Sequence, residues 1–126
     1  MDKVCDQYGN VLQDNTLVSN SHVDISQDTW NNVREGMYMV IKEGSARRVF
    51  TDLNVNIAGK TGTAQESKTR ANHAFFISFE PFESPEIAVT VNIPYGYSST
   101  NAAVIAKNIY KYYYNQISLD YILNNS

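Results

Sequence analysis

Ile87-Ala88-Val89-Thr90-Val91-Asn92-Ile93 alternates branched apolar residues with small or polar ones, between Pro85 and Pro94. That period of two predicts a strand with Ile87, Val89, Val91 and Ile93 on one face. Before it stands Ala74-Phe75-Phe76-Ile77-Ser78-Phe79, a short aromatic run bounded by turn residues. Pro81-Phe82-Glu83-Ser84-Pro85 joins the two, a connection short enough for an antiparallel hairpin. A third strand candidate covers residues 55–66, so residues 55–94 hold three strands.

Helical patterns flank these strands. Ser26 is placed as an N-cap, with Asp28 in the first turn. Trp30, Val33, Met37, Val40 and Ile41 follow at helical spacing as one apolar face. Gly36 weakens this helix by about 1 kcal/mol relative to alanine if exposed. Gly44 terminates it, which bounds the helix at 26–44. Residues 45–52 read as a polar, basic connection through Arg47 and Arg48. A second helix is predicted over 98–117, with Ala102, Ala106, Ile109, Tyr113 and Ile117 close to one face and Ala103, Tyr110 and Tyr114 beside it. The tail from Asp120 to Ser126 is expected to fray.

Residues 1–25 form a turn-rich lead-in. Tyr8-Gly9-Asn10 sets a small hairpin between Lys3-Val4-Cys5 and Val11-Leu12, and Asp14-Asn15 and Ser19-Asn20-Ser21 read as loop. The order helix, three strands, helix predicts an α+β fold: a three-stranded antiparallel sheet with the C-terminal helix packed on it. The opposite face of that sheet needs cover that the chain barely supplies.

At 126 residues the chain is sized for one domain. Its 43% hydrophobic content allows a modest core, and its 18% charged content argues against disorder. A net charge of −3 gives no case for nucleic acid or an anionic membrane surface as partner. Cys5 is the only cysteine, which excludes an internal disulfide and a cysteine-based metal site. It fits a reducing compartment, or an extracytoplasmic protein that does not use disulfides. No run approaches the roughly 18 apolar residues of a membrane span. The first residues lack the basic-then-apolar order of a signal peptide.

The chemistry concentrates in Ala58-Gly59-Lys60-Thr61-Gly62-Thr63-Ala64-Gln65. It sets a cation among hydroxyls and glycines, and a glycine in a strand marks the close approach of another backbone or a ligand. These properties favour a sheet edge that binds an anionic, peptide-like ligand. Gly59-Lys60-Thr61 also invites a phosphate-loop reading, but Asn54 stands where that motif needs its first glycine, and Gly62 follows where a helix must open. Taken alone, Lys-Thr-Gly is equally the mark of an ordinary edge strand with a solvated lysine.

The surroundings carry more. Ser26-Gln27-Asp28-Thr29-Trp30 with Gly36-Met37 precede the motif. Asn72-His73-Ala74-Phe75-Phe76, Phe79-Glu80-Pro81, Pro85-Glu86-Ile87-Ala88-Val89 and Ala102-Ala103-Val104-Ile105-Ala106 follow it. In order and spacing these segments resemble the C-terminal part of penicillin-binding protein transpeptidase domains, of the monofunctional elongation type. Those are the serine D,D-transpeptidases of peptidoglycan synthesis.

That family uses Ser-x-x-Lys, Ser-x-Asn and Lys-Thr-Gly. Only the third stands here in its proper place, and no Ser-x-x-Lys occurs in the chain. Ser99-Thr100-Asn101 spells the second, but it follows Lys-Thr-Gly and lies at a helix start, where Ser and Asn are common caps.

The resemblance implies that Lys60 contributes positive charge to a catalytic cleft. Thr61 and Thr63 would hydrogen-bond a substrate carboxylate, and the Thr63 backbone N–H would be one of two oxyanion donors. One such donor is typically worth about 2.7–4 kcal/mol in the transition state. Gly62 would leave room for a peptide lying along the strand. A strict pleat sends Lys60 and Thr61 to opposite faces, so both serve one cleft only at an edge with twist or a kink.

His73 reads as structural, Trp30 and Tyr110 to Tyr114 as packing, and Arg47, Arg48, Lys68 and Arg70 as solvated loop charges. Lys68 and Arg70 are also placed near a cleft rim. No cofactor and no metal are implied. Partners are a peptidoglycan stem peptide and β-lactams, reached through the rest of the transpeptidase domain. The parent would work at the extracytoplasmic face of the bacterial cell membrane, with no membrane contact by this segment. The expected function is a fragment that supplies the Lys-Thr-Gly strand and is inactive alone. Its rivals are a non-catalytic module binding peptide carboxylates and a truncated gene product without function.

Overall fold

The computed structural model describes residues 3–14 and 23–124. The loop expected at Ser19-Asn20-Ser21 lies outside them. Two short antiparallel strands, β1 (Lys3–Cys5) and β2 (Val11–Asp14), form the N-terminal hairpin. Asp6 closes its turn: the carboxylate accepts from the Tyr8 and Asn10 backbone N–H groups and from the Asn10 side chain.

Helix α1 runs over Gln27–Lys42. The Ser26 hydroxyl accepts from the Thr29 backbone N–H, which satisfies one orphan donor of the first turn. The apolar face read for this helix is only partly used. Ile41 is buried and Met37 and Val40 are half-buried, whereas Val33 is exposed and Trp30 is 44% exposed. Trp30 is therefore not a packing residue in this chain. The helix packs along the strand Ala58–Ala64, and its N-terminal half presents Trp30 and Val33, which the described residues leave exposed.

Residues 45–52 differ from the polar connection expected. Successive turns, held by Val49 N–H to Ala46 O, Phe50 N–H to Arg47 O and Leu53 N–H to Phe50 O, bring Ala46, Val49, Phe50 and Leu53 into the core. The exposed Arg47 and Arg48 hid that pattern in the sequence.

The main sheet has the order β3-β4-β5, all antiparallel, from β3 (Ala58–Ala64), β4 (His73–Glu80) and β5 (Ile87–Ile93). β3 is shorter than the 55–66 expected. The sheet pairing starts at Ala58 opposite Phe79 and ends at Ala64 opposite His73.

The register sorts the two faces. Ala74, Phe76, Ser78 and Glu80 share one face with Ile93, Val91, Val89 and Ile87. This face is covered by α2 (Ser99–Tyr113), which buries Ala102, Ala103, Ala106 and Tyr110. The Tyr110 hydroxyl donates to Ser78 Oγ, which in turn donates to Val89 O. The opposite face holds Phe75, Ile77, Phe79, Ala88, Thr90 and Asn92. There Ile77 is 47% exposed, and Ala88, Thr90 and Asn92 are exposed.

The buried stripe of α2 lies about one residue round from the face read in the sequence, so Ile109 and Tyr113 are exposed. Paired alanines let the helix close on the sheet, and Tyr110 rather than Tyr113 finds a buried partner. α2 also stops before Ile117. Asn115 takes a left-handed conformation, φ 54°, which asparagine tolerates at a helix end. A further helix, α3 (Leu119–Asn124), follows where fraying was expected, with Ser118 Oγ accepting from the Tyr121 N–H.

Candidate functional site

β3 is an edge strand: β4 pairs with one side, and among the described residues no strand pairs with the other. Gly59, Thr61 and Thr63 face Ser78, Phe76 and Ala74, while Lys60 and Gly62 face Ile77 and Phe75. The pleat therefore sends Lys60 and Thr61 to opposite faces, as strand geometry requires.

Lys60 is exposed on the face that α2 does not cover. Its ammonium turns back along the strand and donates to its neighbour's carbonyl, Thr61 O, at 2.7 Å. Thr61 is half-buried, with Oγ1 2.8 Å from Ser45 Oγ, in the turn that follows α1. Thr63 is exposed and Gly62 half-buried. A free strand edge offers unpaired backbone donors and acceptors to an extended peptide. Beside them stand a cation and two hydroxyls suited to a carboxylate.

The two glycines do different work. A Cβ on Gly59 would lie 2.6 Å from Phe76 Cζ and 3.0 Å from Ile77 O. Gly59 thus admits the Phe76 ring and the neighbouring backbone, not a ligand. A Cβ on Gly62 would meet nothing closer than Phe75 Cβ at 3.3 Å.

Beyond the end of β3 sits a second polar cluster. His73 Nδ1 accepts from the Tyr95 N–H, and its Nε2 lies 3.4 Å from Glu66 Oε2. The Tyr95 hydroxyl donates to Glu66 Oε2 and accepts from Arg70 Nη1. His73 is held by the fold on both ring nitrogens. Arg70, Ala71, Tyr95 and Tyr97 line a cavity of about 510 Å³. The sequence reading missed Ser45, Glu66 and Tyr95. Only the Gly44-Ser45 pair at a helix end carried a signal, and that signal concerned the helix.

Ser98 caps α2 by accepting from the Thr100 N–H, and the Asn101 side-chain amide donates to Gly96 O. These contacts are capping and turn geometry. Among the described residues no group of three potential ligands could hold a metal ion, and no helix is long and apolar enough to cross a membrane.

The architecture is thus a three-stranded antiparallel sheet backed by a helix, with Lys-Thr-Gly on an edge strand. The family described as penicillin binding protein transpeptidase domain matches residues 7–111, and the chain belongs to that family. Peptidoglycan D,D-transpeptidase MrdA of Haemophilus influenzae is 35% identical over 104 residues, which cover 69% of this chain and 16% of that protein. Stage V sporulation protein D of Bacillus subtilis is 36% identical over 95 residues, 68% of this chain and 15% of its own length. The structure of Pseudomonas aeruginosa PBP2 in complex with WCK 5153 aligns with a TM-score of 0.65 at 32% identity, over 82% of this chain and 22% of that one. These relatives agree with the monofunctional, elongation-type resemblance. The chain spans about a sixth of the length of the MrdA relative.

Proposed function

We propose that this chain supplies the Lys-Thr-Gly wall of a peptidoglycan D,D-transpeptidase site, and that the rest of the transpeptidase domain supplies the serine. In this reading the serine attacks the D-Ala-D-Ala bond of a stem peptide and forms an acyl-enzyme. An amine from a neighbouring strand then resolves it, and β-lactams acylate the same serine. Lys60 sets a positive charge beside the nucleophile, and the free strand edge is where its face and that of Thr61 and Thr63 both come within reach of one substrate carboxylate. Thr61 and Thr63 hydrogen-bond that carboxylate. The Thr63 N–H donates to the developing oxyanion, and Gly62 leaves room for the peptide along the edge. The site works at the extracytoplasmic face of the membrane, where its peptidoglycan substrate lies.

The observation that carries the reading is the free β3 edge with Lys60 exposed on the sheet face opposite α2, a face that the described residues cover only at its Ala58 and Phe79 end, where Arg34 lies over the Phe79 ring. A nucleophile must reach Lys60 from that side, and the exposed Ile77 beside it offers apolar surface for the missing part to cover. Fluorescent penicillin followed by denaturing electrophoresis tests the proposal. The chain alone gives no covalent band. A chimera in which residues 7–111 replace the matched segment of the Haemophilus influenzae relative gives one, and Lys60→Ala weakens it severely. A band from the chain alone, or full labelling by the Lys60→Ala chimera, overturns the reading.

A further inference from the structure

We propose that Ser45 is a positioning residue that fixes Thr61 as a hydrogen-bond donor to the ligand carboxylate; this rests on the reading just given. The carrying observation is the 2.8 Å separation between Ser45 Oγ and Thr61 Oγ1, across sixteen residues of chain.

A hydroxyl has one proton to donate, while an ionised carboxylate can only accept. If Thr61 donates to Ser45, its proton is spent inside the protein. If Ser45 donates to Thr61 Oγ1, the Thr61 proton is free to point at a ligand. A carboxylate on the β3 edge selects the second arrangement, because a bond to an ionised acceptor is roughly twice as strong as a neutral one. Ser45 then occupies a lone pair of Thr61 and leaves the proton outward.

The local backbone holds Ser45 in reach. A Cβ on Gly44, just before it, would lie 2.8 Å from Val40 Cα, so the helix end closes on itself there. Ala46, just after it, is fully buried and donates its N–H to Val40 O at 3.2 Å. Ser45 is therefore pinned between two anchored residues while its own side chain stays exposed. Thr61 is limited on its other side as well, since its carbonyl accepts from the Lys60 ammonium. The motif tripeptide and the helix end form one unit.

Ligand-observed saturation-transfer NMR on the full chain, with N-acetyl-D-Ala-D-Ala and with its C-terminal amide, tests the assignment. Ser45→Ala is expected to weaken carboxylate binding about fivefold, the effect of one lost hydrogen bond, and to lower the preference for carboxylate over amide. Ser45→Thr, which keeps a hydroxyl, restores both. A merely structural loosening would weaken acid and amide alike. Equal carboxylate affinity in wild type and Ser45→Ala, or a Ser45→Thr variant as weak as Ser45→Ala, overturns the inference and leaves the reading of the site standing. No saturable binding of the acid by wild type also overturns the inference, while the reading of the site is decided separately by the penicillin-labelling test. Ser45→Gly serves as a second hydroxyl-free variant should Ser45→Ala fail to fold, and it carries the same expectation.

Discussion

Gly59 and Gly62 sit three residues apart on one strand, yet replacing each with alanine should fail in opposite ways. Gly59→Ala drives a methyl to 2.6 Å from Phe76 Cζ and 3.0 Å from Ile77 O. Phe76 is fully buried under α2 and stacks on Phe50 with centroids 5.6 Å apart, so the ring has no empty space to enter. Ile77 O belongs to the paired strand and moves only with it. Overpacking of this kind costs roughly 1–3 kcal/mol. Alanine recovers roughly 0.5–1 kcal/mol of that by restricting the unfolded chain. Taking the middle of both ranges, a net loss of about 1 kcal/mol remains, or a fall of roughly 3–5 °C in Tm for a chain of this size. At Gly62 the nearest atom stands at 3.3 Å, a contact relieved by a small shift, and the entropic gain offsets it. Gly62→Ala should melt within about 2 °C of wild type but lose affinity for N-acetyl-D-Ala-D-Ala, because the methyl projects from the sheet face beside Lys60, next to the free edge where the peptide would lie. Circular dichroism gives the first quantity and saturation-transfer NMR the second. Phe76→Leu in the Gly59→Ala background supplies the internal check: shortening the ring should make the alanine less costly than it is beside phenylalanine. A Gly59→Ala chain that melts like wild type, or a double variant with simple additivity, would refute overpacking at Phe76.

Three further outcomes follow from the packing. Glu80 is 1% exposed, and burial pushes its carboxyl above the ordinary range, with Tyr114 pulling it back and Glu86 raising it further. Its native form thus holds a proton more tightly than its unfolded form, and the associated stability is lost as pH rises through the native value. The melting temperature of Glu80→Gln relative to wild type should therefore climb as pH rises above the ordinary glutamate range; a constant difference would refute this. Asp52 is held below its ordinary range chiefly by Lys111, and also by Lys107, both on α2. The sign reverses here: its stabilisation is present at neutral pH and lost as pH falls through the native value, so Asp52→Asn should lose part of the acid-side decline in Tm, with an effect that shrinks in high salt. Ile77→Ser should shift the Tm of the chain alone by less than about 1 kcal/mol equivalent, because the side chain is half-exposed. In the penicillin-labelling chimera it should reduce the labelled fraction, and unchanged labelling would show that the open face is not covered.

The sheet was legible because period-two alternation is a local property. Ile87, Val89, Val91 and Ile93 do share one face, and the short proline-bounded connection does make an antiparallel pair. What escaped depended on partners distant in sequence. Tyr110 is chosen over Tyr113 because Ser78, thirty-two residues earlier, waits beneath it. The core positions Ala46, Val49, Phe50 and Leu53 were masked by two adjacent arginines and by a turn geometry with neither period. Trp30 has the spacing of a core residue, and its exposure means that helical period describes a face without saying what meets it. The motif itself was legible as a string, but Ser45 was not, because nothing local links it to Thr61.

The same logic separates the two faces of the sheet. The covered face is largely filled: alanines, valines and Phe76 occupy it and its Ser78 and Tyr110 hydroxyls are paired, while Glu80 Oε2 is buried there with no hydrogen-bond partner among the described residues. The open face pairs Lys60 with Ile77 and Ile77 with Thr90, a charge, a large apolar side chain and a hydroxyl side by side at partial exposure. A solvated face would not need Ile77, and a core face would not tolerate Lys60 without a counter-charge. Surface of that mixed kind is what a cleft floor requires: apolar area to be covered at the centre of the sheet, and a cation left at its edge where the covering piece ends. Whatever lies over Ile77 must stop short of Lys60, or present it with an anion. On the proposed function, the edge strand is both the margin of the chain's own fold and the place where a substrate carboxylate would have room.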